Sequence, residues 1–176
     1  MDIKRFENAE RAEETIKEQA ELAEAKLRSI ERSRTKSESI PDTDITDKAG
    51  NPITVRTWES GNQAFVRAYD TNKVSVPDRT DIGQAGYANA TIEQNLDGQT
   101  RIRLNDIVTT PEYRNGGISG TMLSKVEQYA RKNNAYEIYG SIDSQDAQKY
   151  LQHQADKGWV IDYSKGAYGE LHKKLQ

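Results

Sequence analysis

The stretch of this chain best suited to chemistry runs Ile107-Val108-Thr109-Thr110-Pro111-Glu112-Tyr113-Arg114-Asn115-Gly116-Gly117-Ile118-Ser119-Gly120. An apolar pair, Ile107 and Val108, closes a strand, and Pro111 stops its ladder because proline has no N–H to give. Gly116, Gly117 and Gly120 then lead straight into an amphipathic helix. Glycine lets the backbone turn its N–H groups toward one point, close to a ligand. The orphan donors and the dipole at a helix start favour an anion there. Strand, glycine-rich turn and helix in this order form a cradle for phosphate or pyrophosphate. Arg114 can add a direct charge to it, or simply make a surface ion pair. No Lys-Ser/Thr follows the glycines, which argues against a P-loop. The loop also follows a late strand rather than the first of the domain, unlike a dinucleotide-binding unit.

Other chemistries find little support. Cysteine is absent, which removes disulfides, thiolate metal ligands and cysteine nucleophiles together. His153 and His172 read as surface residues, and no constellation resembles a metal site. Tyr136, Tyr139, Tyr150 and Tyr163 read as core and rim. The formal net charge is −3, so the basic excess that duplex binding needs is missing and a nucleic acid partner is disfavoured. No apolar run reaches the length of a membrane span, and the N-terminus has no export pattern. A cytoplasmic protein is expected.

The elements that must position the loop follow from hydrophobic periodicity. The chain has 176 residues, of which 34% are hydrophobic and 30% charged, too polar a mixture for one core spread evenly along it. From Ile3 to Ile30 neither Pro nor Gly occurs. Apolar residues at Ile16, Ala20, Ala23, Leu27 and Ile30 fall at spacings of four and three, which predicts a charged amphipathic helix over residues 1–32. Its thin seam leaves three options open: a solvated helix, one docked on its own domain, or a homodimer or protein partner held through residues 3–30. Residues 33–51, rich in Ser, Thr and Asp, read as a linker.

A single α/β domain is expected over residues 52–176. Ile53, Val55 and Thr57 alternate with polar partners, and Ser60-Gly61-Asn62 turns the chain into a strand over Phe65–Tyr69. A short strand is predicted at Val74–Val76, then strands over Tyr87–Glu93 and from Ile102 to Val108. The adjacent Ile107 and Val108 break alternation, which fits a bulge or a strand buried on both faces. Ile118, Met122, Val126, Tyr129 and Ala130 share one helical face, closed by Asn133-Asn134. A strand around Ile138, a helix from the Ser144 cap to Gly158, and strands at Trp159–Ile161 and Tyr168–Leu171 complete a mixed, mostly antiparallel sheet flanked by helices.

The run Val108-Thr109-Thr110-Pro111-Glu112-Tyr113 followed by Arg114-Asn115-Gly116-Gly117-Ile118-Ser119 resembles the hallmark of the GNAT superfamily of acyl-CoA-dependent N-acyltransferases. That hallmark is Arg/Gln-x-x-Gly-x-Gly/Ala after a strand ending in Val-x-Pro-x-Tyr. The helix continues as Gly120-Thr121-Met122-Leu123, where the family has small residues and then aliphatics, and Ala147 and Gly158-Trp159 look like its later landmarks. The resemblance spans residues 52–176 and is most specific over 102–142. Three departures stand out. Ser119 replaces the last Gly/Ala. Gln154 sits where a tyrosine often protonates the leaving thiolate, with Tyr150 one turn earlier. Residues 54–69 offer a short hairpin where the family has two helices that wall the acceptor site.

The resemblance implies acetyl-CoA as co-substrate and no metal. It implies that Gly116, Gly117, Ser119 and Gly120 offer backbone N–H groups to the pyrophosphate, with Arg114, Asn115 and Thr121 shaping the same cradle. Ile107 and Val108 would pair with pantetheine, and Val108 N–H would polarise the thioester carbonyl. The acceptor would be an amine of a small molecule or protein. A lysine-type amine has a pKa near 10.4, so freeing it at neutral pH costs roughly 4–5 kcal/mol and calls for a base. Asp106 is the first candidate and Glu93 the second, with Tyr150 as candidate acid. The competing expectation is a weak or inactive GNAT-like module that assembles through its N-terminal helix. A toxin acting on charged tRNA is disfavoured by the acidic balance.

Overall fold

The computed structural model describes residues 39–73 and 83–175, with Gln19 alone before them. The chain divides into two compact units, Met1–Glu38 and Ser39–Gln176. The helix expected over residues 1–32 and the short strand expected at Val74–Val76 lie outside the described residues. The second unit carries an eight-stranded sheet in the order β1-β2-β3-β4-β5-β6-β8-β7. In sequence these are β1 (Thr43–Thr46), β2 (Pro52–Ser60), β3 (Gln63–Asp70), β4 (Gln84–Gln94) and β5 (Thr100–Thr109), then β6 (Glu137–Ser141), β7 (Val160–Asp162) and β8 (Glu170–Lys174). Two helices, α1 (Ile118–Lys132) and α2 (Gln145–Gln152), follow β5 and β6. Every neighbouring pair is antiparallel except β5 and β6. The α/β class and mostly antiparallel sheet expected from the sequence are therefore found.

One element corrects the sequence reading. β1 lies inside the stretch expected to be linker and pairs with β2 from Thr43 opposite Val55 to Thr46 opposite Pro52. Its turn is held by Asp47, whose Oδ1 accepts from the N–H groups of Ala49 (2.9 Å) and Asn51 (2.8 Å). Asn51 Nδ2 donates to the other carboxylate oxygen, and this bond above all holds the Asp47 carboxyl below its usual range.

The core lies between α1 and one face of the sheet. On that face β3 and β4 carry small residues: Ala64, Ala68, Ala88 and Ala90 are buried beside Val55 and Val66. The helix supplies the bulk through Ile118, Met122, Leu123, Val126 and Tyr129. Each such apolar side chain contributes about 1.5–3 kcal/mol on burial. Lys125 is buried among them, and its Nζ donates to Pro41 O, tying the start of the unit to the helix. Asn133 caps the helix, and Asn134 takes the left-handed conformation after it (φ 53°). Two register shifts mark the sheet, one opposite Ala68/Tyr69 and one opposite Asn89/Ala90. The second leaves Asn105 as an extra residue in β5, since Asn89 faces Asp106 and Ala90 faces Leu104. The irregularity expected near Ile107 thus falls two residues earlier. Among the described residues no helix is long and apolar enough to cross a membrane.

Candidate active site

β5 and β6 pair only at Ile102–Ile138 and Arg103–Tyr139, then separate. Gly140 fixes where they part, because a Cβ there would stand 2.7 Å from the Leu104 carbonyl oxygen. Beyond that point a narrow gap of about 80 Å³ opens, with Asp106, Ile107 and Val108 on one wall and Ser141, Asp143 and Leu171 among those on the other. It continues into a cleft of about 620 Å³ lined by Val108, Thr109, Arg114, Asn115 and Ser119, and opposite them by Ala147, Lys149, Tyr150 and His153.

Backbone direction decides which groups of β5 face this space. Thr110 N–H donates to Ala85 O at 3.0 Å, so Thr110 turns toward β4. Antiparallel neighbours alternate in this respect. Val108, which faces Tyr87, therefore also turns toward β4, while Ile107 and Thr109 turn their N–H and C=O groups the other way. Arg114 Nε donates to Thr109 O at 3.4 Å, which agrees with that direction. The expectation for the Val108 N–H is thereby corrected: Ile107 and Thr109 turn their main-chain groups away from β4, and Val108 lines the cleft with an exposed side chain.

The loop after β5 is braced from two sides. Pro111–Tyr113 form a 3-10 turn, and Tyr113 is buried with its hydroxyl donating to Asp70 Oδ2 at 2.9 Å. Burial pushes the Tyr113 phenol upward, and the Lys73 ammonium beside it pulls the other way. Lys73 Nζ sits 3.2 Å from Glu112 and 3.9 Å from Asp70. From the other side, Gly116 meets the β1–β2 turn, since a Cβ on it would lie 2.9 Å from Asp47 Cβ. Gly116 is thus required by packing as well as by any ligand. Gly117 takes φ 86° with open space around it, and Asn115 takes φ 63°. The first helical bond runs from Thr121 N–H to Gly117 O at 3.1 Å. The N–H groups of Ile118, Ser119 and Gly120 precede it and have no helical acceptor. Thr121 Oγ1 also donates to Gly117 O, at 3.2 Å.

Tyr150 stands across the cleft from β5. Ser144 caps its helix by accepting from Ala147 N–H at 3.1 Å. Burial raises the Tyr150 phenol above its ordinary range, and a hydrogen bond with Ser119 opposes that. Ser119 Oγ lies 2.5 Å from Thr109 Oγ1, joining the start of α1 to the end of β5. Gln154 Nε2 donates to the Tyr150 oxygen at 3.3 Å.

The other predicted residues separate. Asp106 lines the gap and accepts from Asn89 Nδ2 at 3.3 Å. Glu93 is not brought there. It sits toward the far end of β4, held by Arg101 (3.5 Å), Arg103 (3.4 Å) and the Tyr139 hydroxyl. Thr109, Asp47 and Asp70 escaped the sequence reading, and Gln154 was read there only as a departure from the family pattern. Only Thr109 had a signal available, the alternation that puts it on the same strand edge as Ile107.

This arrangement offers a strand edge, a helix start and a phenol around one cleft, which can hold an extended chain ending in a phosphate. Among solved structures the chain is similar to the NatC complex bound to Gag peptide and CoA, at 14% identity over 64% of this chain and 71% of that one, with a TM-score of 0.52. It is also similar to the PaiA N-acetyltransferase of Thermoplasma acidophilum in complex with coenzyme A, at 18% identity over 65% of this chain and 62% of that one, TM-score 0.49. Arabidopsis thaliana Naa50 in complex with the bisubstrate analogue CoA-Ac-MVNAL gives 18% identity over 63% of this chain and 72% of that one, TM-score 0.47. No curated protein sequence matches. The Acetyltransferase (GNAT) family matches residues 28–155, a span that includes the gap between β5 and β6, the glycine loop and Tyr150. By that match, this chain belongs to the GNAT acetyltransferase family.

Proposed function

We propose that this protein is an acetyl-CoA-dependent N-acetyltransferase acting on an amine of a small molecule or a protein. The observation that carries the reading is the unpaired edge of β5, where Ile107 and Thr109 face a cleft that ends at the orphan N–H groups of α1. Those residues fit coenzyme A in kind. The strand edge matches an amide-bearing pantetheine chain, and the N–H groups of Gly117, Ser119 and Gly120 match its pyrophosphate, with Arg114, Asn115, Gly116 and Thr121 shaping the loop. When bound, acetyl-CoA supplies an acyl group already activated as a thioester.

The chain's own residues would then do three things. Ile107 N–H steadies the charge that gathers on the acyl oxygen as the amine nitrogen bonds to the acyl carbon. Asp106, at the gap, accepts the proton that the amine sheds, directly or through one water. Tyr150 gives its proton to the sulfur as the C–S bond breaks and regains one from solvent. Burial helps here, because it keeps the phenol protonated and able to donate.

The test is calorimetric titration of the full chain with acetyl-CoA and CoA, beside Gly117→Ala and Gly117→Glu. Both variants strain the same left-handed backbone, and the Cβ of each meets nothing within 4 Å. Only glutamate adds a carboxylate against the pyrophosphate. Binding that alanine weakens and glutamate abolishes supports the reading. No binding to the wild type at millimolar ligand refutes it, and attention then moves to residues 3–30 as a partner-docking segment.

A further inference from the structure

Gln154 follows α2 by two residues and is buried, with 7% of its surface exposed. Its backbone is fixed: its N–H donates to Leu151 O at 3.0 Å, and its carbonyl accepts from Lys157 N–H at 3.0 Å and Trp159 N–H at 3.4 Å. Its side chain spends one end on the Tyr150 hydroxyl, through Nε2 at 3.3 Å. The other end, Oε1, is buried without a partner. Burying an unsatisfied amide oxygen is costly, and a leucine or methionine could fill the space without that cost. The bond to Tyr150 is what an apolar side chain could not supply.

That bond has a direction. A phenol oxygen that accepts from Nε2 keeps its own hydrogen free for another acceptor. Tyr150 itself lines the cleft, across from β5. We propose that Gln154 is a positioning residue which orients the Tyr150 hydroxyl so that its hydrogen faces the cleft, and which steadies the phenolate left after that hydrogen is given up. This inference rests on the reading of Tyr150 as the acid. It also assigns work to the position where the family often carries a tyrosine, one helical turn further along.

An amide can face either way, and the two orientations act in opposite senses. As a donor Gln154 favours the ionised phenol and lowers its pKa. Reversed, its oxygen would take the phenol's own hydrogen, raise the pKa and block donation. The experiment compares wild type, Gln154→Leu, Gln154→Met, Tyr150→Phe and the Tyr150→Phe/Gln154→Leu pair, with the tyrosine rings carbon-13 labelled and titrated by NMR. Tyr150→Phe identifies the resonance to follow. Removing Gln154 is expected to raise the Tyr150 pKa by about one unit, to move the alkaline limb of the kcat profile by the same amount, and to leave KM for acetyl-CoA within about twofold. The loss in kcat should vanish in the Tyr150→Phe background, where nothing remains to position. An unchanged or lowered pKa overturns the proposal, and so does a loss that adds fully to that of Tyr150→Phe. Methionine keeps the volume should leucine disturb packing. Full activity of Tyr150→Phe would overturn the acid assignment itself, whereas absent acetyl-CoA binding to wild type would overturn the enzymatic reading. The failures are thus distinguishable.

Discussion

Replacing Tyr113 by phenylalanine tests whether the hallmark tyrosine works as a brace for the loop. The hydroxyl donates to Asp70 at 2.9 Å, and the two residues are 2% and 1% exposed. A hydrogen bond to a charged group contributes about 1.5–3 kcal/mol, and the loss is worse when the partner stays buried. Some relief is available, because Asp70 Oδ1 still accepts from Asn72 N–H at 3.0 Å and Lys73 stands 3.9 Å from Oδ2. The expected cost is therefore about 2 kcal/mol, toward the middle of that range. In a domain of this size that lowers the melting temperature by roughly 4–8 °C. Urea unfolding of wild type, Tyr113→Phe, Asp70→Ala and the double variant gives the pairwise term, expected at about 1–2 kcal/mol. Because Tyr113 lies between the end of β5 and Arg114, affinity for CoA should fall several-fold in the single variant. A cost below about 0.5 kcal/mol, or simple additivity with Asp70→Ala, would refute the brace.

Three other outcomes are expected. Tyr150→Phe should lower kcat by a hundredfold or more, within the roughly 10²–10⁴-fold range of general acid catalysis, while calorimetry shows CoA binding retained. Gly140→Ala forces a methyl group to within 2.7 Å of the Leu104 carbonyl. It should destabilise the fold by about 1–3 kcal/mol and weaken CoA binding, as read by thermal melts with and without ligand. Tyr129 is buried, its hydroxyl has no partner, and burial pushes its phenol from 10.0 to about 12. A raised folded-state pKa gives stability that is complete below pH 10 and lost as the pH climbs toward 12, at about 1.4 kcal/mol per unit. Tyr129→Phe should thus be neutral or stabilising at pH 8 and gain about 1.4 kcal/mol on wild type between pH 9 and 11 in chemical denaturation.

The sequence disclosed the parts of the site that depend on local pattern. The β2–β3 hairpin follows from alternation around Gly61, α1 from apolar spacing behind the glycines, and the Ser144 cap from residue type alone. What escaped it depends on distant partners. β1 reads Thr-Asp-Ile-Thr, too polar for a strand signal, and forms as an edge strand on β2. Gly116 reads as a ligand-facing glycine, yet the contact that forbids a side chain there is Asp47, far away in sequence. The error over Val108 arose because strand direction depends on which residues bond to β4, and that is set by the bulge at Asn105 and by Thr110 against Ala85. Glu93 looked equivalent to Asp106 as a carboxylate on an adjacent strand. Register puts Glu93 opposite Arg101 near the end of β4, whereas Asp106 faces Asn89 at its middle, and Arg101 and Arg103 hold Glu93.

The point where β5 and β6 part is main chain against main chain, Gly140 on the Leu104 carbonyl. A junction of that kind has no side chain to enlarge or trim, so its width is closed to gradual retuning by substitution. Divergence of such a protein toward a new acceptor would have to run through residues away from this main-chain contact, leaving the junction itself as it is. The reacting end of the slot would stay constant while its entrance varied, separating the inheritance of a reaction from the inheritance of its specificity.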